Sequence, residues 1–122
     1  ISALFWSGSS YKIWRAILDS KLVCVTYFEI LEEVRNKLVT KFSYPEDQAN
    51  KYIETIMTNS LVVRPTKRFE AVENDSTDNK IIEAAVEGTV KYIVSNDGHL
   101  LKLKRFENIF ILSSKDFFKL IT

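Results

Sequence analysis

The chain has 122 residues, of which 46% are hydrophobic, 12% aromatic and 27% charged. Such a composition suits one folded domain, 1–122, burying roughly two thirds of the surface its unfolded chain exposes, and it excludes disorder, which needs low hydrophobicity and high net charge. With 17 Lys and Arg against 16 Asp and Glu the formal net charge is +1, which excludes a uniformly basic surface and confines any contact with nucleic acid to a local site.

In chain order, Tyr11 to Ser20 places Ile13, Ala16 and Ile17, with Trp14 beside them, on one helical face. LVCVT at Leu22 to Thr26 is a β-branched run of buried-strand length. Phe28 to Val39 carries apolar residues at 31, 34 and 38 and reads as an amphipathic helix, with Glu29, Glu32 and Glu33 off the stripe. Ser43 and Glu46 fit a capping box with Pro45 near the first helical position, and Ala49, Tyr52, Ile53, Ile56 and Met57 form the buried face of a helix ending near Ser60. LVVR at Leu61 to Arg64 is a second strand, stopped by Pro65. A polar stretch, KRFEAVENDST, then leads into Asp78 and the helix NKIIEAAVE, with Gly88 at the C′ position. KYIVS at Lys91 to Ser95 is a third strand, followed by Asn-Asp-Gly and a short helical segment, HLLKL. IFIL at Ile109 to Leu112 is a fourth strand, and Ser113 or Ser114 caps a last helix, KDFFKLI. Short apolar strands alternating with helices predict an α/β fold, a three-layer α/β/α arrangement around a mostly parallel sheet, with ligands at the carboxyl ends of the strands.

No apolar run reaches the 18 or so residues that span a bilayer, and the start lacks the basic region of a signal peptide. A single cysteine, Cys24, allows no internal disulfide, so a reducing, cytoplasmic setting is expected. Cys24 lies mid-strand, where a thiol is buried and inert, which argues against pairing with His99 as a nucleophile. One Cys and one His do not make a zinc site. No G-x-S-x-G, Walker A or G-x-G-x-x-G loop is present.

The remaining chemistry lies with carboxylates. Asp97 follows the strand KYIVS, at the edge where α/β domains hold ligands; on its own it also suits an Asn-Asp-Gly turn. Asp78 stands in the first turn of its helix and on its own suits an N-cap. Strand ends in a parallel sheet lie about 5 Å apart, so loops at one edge can bring the two acids together, and like charges held close call for a cation, with hard oxygen ligands suiting Mg²⁺ or Mn²⁺. On the helix after LVCVT, Glu32 and Glu33 border the apolar stripe and geometry leaves both open as a third acid. Lys102, Lys104 and Arg105 form a small cluster that suits either a phosphate backbone or a solvated edge.

With these acids in place the chain resembles the PIN domain family, in the branch that includes VapC-type toxin ribonucleases. DSTDNKIIEAAVEGTVKYIVSNDGHLLKL is similar to the family's run of Asp, alanine-bearing helix, apolar strand, Thr/Ser-x-Asp and Leu-rich short helix, matching Asp78, Ser95 and Asp97. ILEEVRNKLVTKF resembles an earlier helix motif whose register favours Glu33, aligned with Val34, Leu38, Lys41 and Phe42. ISALFWSG resembles the segment after the family's first strand. The Asp-Thr-Asn-like motif of that central strand has no counterpart here, so the first strand is expected to lie outside the sequence given. The resemblance implies a Mg²⁺- or Mn²⁺-dependent endoribonuclease in which Asp78, Asp97 and Glu33 hold metal and Ser95 supports them by hydrogen bonding. It also implies an RNA substrate, a small inhibitory antitoxin partner, homodimerisation and no membrane. Asp75 and Asn79 are lesser polar candidates nearby, and Asp116 belongs to the first turn of the last helix. A PIN fold that binds RNA or protein without cutting is the alternative.

Overall fold

The computed structural model describes residues 2–6, 11–19, 22–72 and 76–121. Among these, six strands form one sheet: β1 (Ser2–Trp6), β2 (Leu22–Thr26), β3 (Ser60–Val62), β4 (Tyr92–Val94), β5 (Arg105–Phe106) and β6 (Ile109–Leu112), in the spatial order β3-β2-β1-β4-β6-β5. Every pairing is parallel except β5 with β6. The carboxyl ends of the five parallel strands therefore share one edge, and the turns leaving them converge there. The α/β fold with a mostly parallel sheet expected from the alternation of elements is present.

The central position is filled by Ser2–Trp6, with Leu4 opposite Cys24 on one side and Tyr92 on the other. The expectation that this sequence lacks the central strand is thus corrected. A gap between β2 and β4 would strand two rows of backbone donors and acceptors, and SALFW pairs with both rows.

Six helices complete the layers: α1 (Tyr11–Leu18), α2 (Phe28–Thr40), α3 (Glu46–Thr58), α4 (Ser76–Glu87), α5 (Gly98–Leu103) and α6 (Ser114–Ile121). Because side chains alternate across a strand, Val25 and Ile93 enter the core beneath α2, α4 and α5 with Ile30, Ile82 and Leu100, while Cys24 and Val94 enter the opposite core beneath α1 and α6 with Ile13, Ile17 and Phe117. Cys24 is buried mid-strand, as expected. No described helix is long and apolar enough to cross a membrane.

Three local expectations are revised. Ser43 does not cap α3: with φ 56 it belongs to the turn ending α2, where the Tyr44 amide donates to the Leu38 carbonyl at 2.8 Å, and Pro45 takes the N-cap position without a side-chain hydrogen bond. Met57 is exposed rather than buried. At the end of α4 the residue at positive φ is Thr89, not Gly88; the amides of Thr89 and Val90 donate to the carbonyls of Val86 and Ala85, which is the Schellman pattern with Thr89 at C′. Gly88 serves a different end, since a Cβ there would lie 2.6 Å from Cγ1 of Val25. The hairpin partner strand β5 was not anticipated.

One face of α4 holds the segment before it. Asn79 accepts from the Val72 amide and donates to the Val72 carbonyl, both at 2.8 Å. Glu83 accepts from the Phe69 amide at 3.1 Å, and Glu87 accepts from the Thr66 amide and hydroxyl at 3.0 and 2.8 Å. Asn79 is thereby a structural clamp.

Candidate metal centre

Asp97 is placed by the end of β4. Residues 95–97 leave the carboxyl edge, and Asp97 becomes the N-cap of α5, its Oδ1 accepting from the His99 amide at 2.7 Å. Ser95, 4% exposed, accepts from the Asp97 amide at 3.0 Å and fixes the turn from beneath. Asn96 ties the same turn to the start of α6, donating to the Ser114 hydroxyl at 3.3 Å and accepting from the Ser114 amide at 3.2 Å. Asp78 arrives from the other direction, in the first turn of α4. The residue is only 3% exposed, an unusual setting for an acid.

These elements bring Asp78, Asp97 and His99 together, with one ligand atom from each lying within 4.8 Å of the others. Asp78 forms the buried floor, and Asp97 and His99 are exposed above it. Two carboxylates and an imidazole make a donor set that suits Mn²⁺ and, with retained waters spanning part of the shell, Mg²⁺. The residues therefore fit a divalent ion. Asp75 lies outside the described residues. Asp116 sits in the first turn of α6, where its amide donates to the Ser113 hydroxyl at 3.1 Å.

Glu33 does not join this group. It sits half-buried on α2, where its charge, with those of Glu29 and Glu83, acts on two neighbours. Tyr27, directly after β2, has its hydroxyl pushed far above the usual range, first by burial and then by those three glutamates. Lys80 is held above its usual range chiefly by its hydrogen bond to Glu29, at 2.7 Å. Tyr27, on which the three glutamates act, thus lies beyond β1 from Asp97.

The cluster of Lys102, Lys104 and Arg105 is carried away from the acids. Arg105 pairs with Phe110, which pairs with Tyr92, the first residue of β4, so Arg105 lies towards the opposite end of the strand from Asp97, while Lys102 and Lys104 belong to the last turn and the C-cap of α5. His99 is the residue that sequence reasoning missed as a ligand. The signal available was its spacing two residues after Asp97, which lets one short turn present both side chains.

A family model described as PIN domain matches residues 1–99. The chain belongs to the PIN domain family. Members of that family are typically nucleases, and the acids and His99 of this PIN domain lie in the half of the match that carries Asp78 and Asp97. No curated protein and no solved structure matches the chain at a significant level.

Proposed function

We propose that this PIN domain is a Mg²⁺- or Mn²⁺-dependent endoribonuclease, the toxin of a toxin–antitoxin pair that works as a homodimer restrained by a small antitoxin protein. The observation that carries the catalytic part is the convergence of Asp78, Asp97 and His99 at the carboxyl edge of a parallel sheet. Asp78 and Asp97 hold the ion, directly or through its waters, and His99 adds a neutral nitrogen ligand. When bound, such an ion lowers the pKa of a water and offsets charge on the scissile phosphodiester. The burial of Asp78 excludes solvent from one side of the site, which strengthens its electrostatics. Ser95 is a positioning residue that holds the Asp97 turn. Glu33 takes a supporting part from α2.

The test is incubation with single-stranded RNA and Mn²⁺ or Mg²⁺, with EDTA controls and the variants Asp78→Asn and Asp97→Asn. Metal-dependent cleavage lost in both variants is expected. Cleavage that survives chelation, or is unchanged in both, overturns the metal-nuclease reading; RNA binding with no metal-dependent cleavage favours a binding module instead. The toxin assignment is tested separately, by growth arrest on expression and its relief by the neighbouring gene's product.

A further inference from the structure

Over the ends of β2 and β3 lies a cavity of about 560 Å³, a size that accommodates a small ligand or one unit of a larger one. Its lining sets Arg64, Lys67, Arg68 and Lys80 against Glu29 and Glu83, with Tyr27 and Phe28 as aromatic wall. Lys80 is matched by Glu29, whereas Arg64, Lys67 and Arg68 have no carboxylate partner among the described residues. Phe28 is 61% exposed, a large apolar ring left open beside three unmatched cations. The buried Tyr27 hydroxyl has no hydrogen-bond partner among the described residues, although buried polar groups as a rule have one.

We infer that this cavity is a subsite for single-stranded RNA, in which Arg64, Lys67 and Arg68 hold successive backbone phosphates and Phe28 stacks on a base. The inference rests on the ribonuclease reading above. An open aromatic ring serves an unstacked base, because the base faces of a duplex are already covered. Two of the three cations are arginines, whose planar fork matches phosphate oxygens in pairs. An acidic peptide would satisfy the cations but would engage Phe28 only through an aromatic residue in register, whereas every nucleotide brings a base with its phosphate. The segment bearing the cations is pinned to α4 through Thr66, Phe69 and Val72, so little ordering is required when a strand binds. Tyr27 and Asp97 leave strands separated by β1 alone, which puts the Tyr27 wall about 10 Å, and the end of β3 that leads to the cations about 15 Å, from the end of β4. A strand held in the cavity therefore reaches the metal centre a short step away, and the subsite flanks the cut.

The experiment is fluorescence anisotropy with a labelled single-stranded oligoribonucleotide in EDTA, which stops cleavage while leaving backbone contacts intact. The triple variant Arg64→Ala/Lys67→Ala/Arg68→Ala is expected to bind at least about tenfold more weakly, with the slope of log affinity against log salt shallower by about 2. Phe28→Ala is expected to weaken binding by about tenfold without changing that slope. Lys102→Ala/Lys104→Ala, at the end of α5 and outside the cavity lining, serves as the comparison. Wild-type affinity in the triple variant, a loss confined to the comparison variant, or displacement of RNA by poly-glutamate as effective as by unlabelled RNA would each overturn the subsite. Binding that depends on the cations without any metal-dependent cleavage leaves the subsite standing and defeats the nuclease reading. Cleavage together with unaltered binding in the triple variant does the reverse.

Discussion

The Ser95 hydroxyl accepts a hydrogen bond from the Asp97 amide at 3.0 Å, so a buried side chain beneath the sheet edge sets the direction in which an exposed carboxylate leaves it. Ser95→Ala removes that acceptor. The expected outcome is a loss of about 1 kcal/mol in urea denaturation together with a fall of about tenfold in Mn²⁺ affinity by titration calorimetry. Ser95→Thr, which keeps the hydroxyl, should recover most of the metal affinity. Equal effects of both variants on stability and none on metal binding would reduce Ser95 to packing.

On the proposed function Asp97 has two duties that substitution can separate. As an N-cap it is replaceable by Asn at almost no cost, whereas Ala costs about 1 kcal/mol. As a metal ligand it is replaceable by neither. Thermal unfolding without metal should therefore rank wild type and Asp97→Asn together above Asp97→Ala, while the rise in Tm on adding Mn²⁺ should be lost in both variants. A Mn²⁺-induced rise preserved in Asp97→Asn would leave the residue as a cap alone.

Gly88→Ala should destabilise by about 1–3 kcal/mol, because its new Cβ would meet the Val25 side chain at 2.6 Å with α4 packed above β2. Combined with Val25→Ala, which opens the space, the second change should cost less than it does alone. Urea midpoints of the two single variants and the double variant measure that coupling.

Alkaline titration of stability should report Tyr27. Burial, followed by the charges of Glu29, Glu33 and Glu83, raises its pKa in the fold above the ordinary 10.0. Below about pH 10 the phenol is protonated in both states and the stabilisation is complete. Above it the unfolded chain loses its proton first, so stability declines as pH rises towards the folded value. Tyr52, raised by burial and then by Tyr44, adds a decline of its own. Tyr27→Phe should flatten the curve above pH 10 relative to wild type, with little change at neutral pH since the hydroxyl has no partner among the described residues. Parallel curves for the two proteins would contradict the burial of a protonated phenol.

Much of this architecture is written locally. The β-branched runs at Leu22–Thr26 and Ile109–Leu112 declare buried strands, and an acid just past a strand or in a first helical turn declares its place at the carboxyl edge, which is why Asp97 and Asp78 were legible. What escaped is long-range or shared between elements. SALFW has no β-branched residue, and its role follows only from the two ladders that need it. The spacing of His99 two residues after Asp97 makes only a pair, and the group is complete only with Asp78 from another helix. Glu33 was aligned by likeness of sequence, while the position of α2 decides what it faces. The clamps of Asn79, Glu83 and Glu87 join side chains to distant backbone, and their spacing of four along the helix does not by itself say which backbone they grip.

Those clamps also act as a ruler. Asn79, Glu83 and Glu87 recur one helical turn apart, about 6 Å along the axis at each step, and grip Val72, Phe69 and Thr66 in reverse order. The pitch of α4 thus dictates how much chain fits between the grips, and a one-residue deletion there would break the register. The same helix carries Asp78 in its first turn. One helix therefore fixes both the spacing of the segment that bears Arg64, Lys67 and Arg68 and the place of the buried carboxylate, so neither can be shifted along α4 without the other.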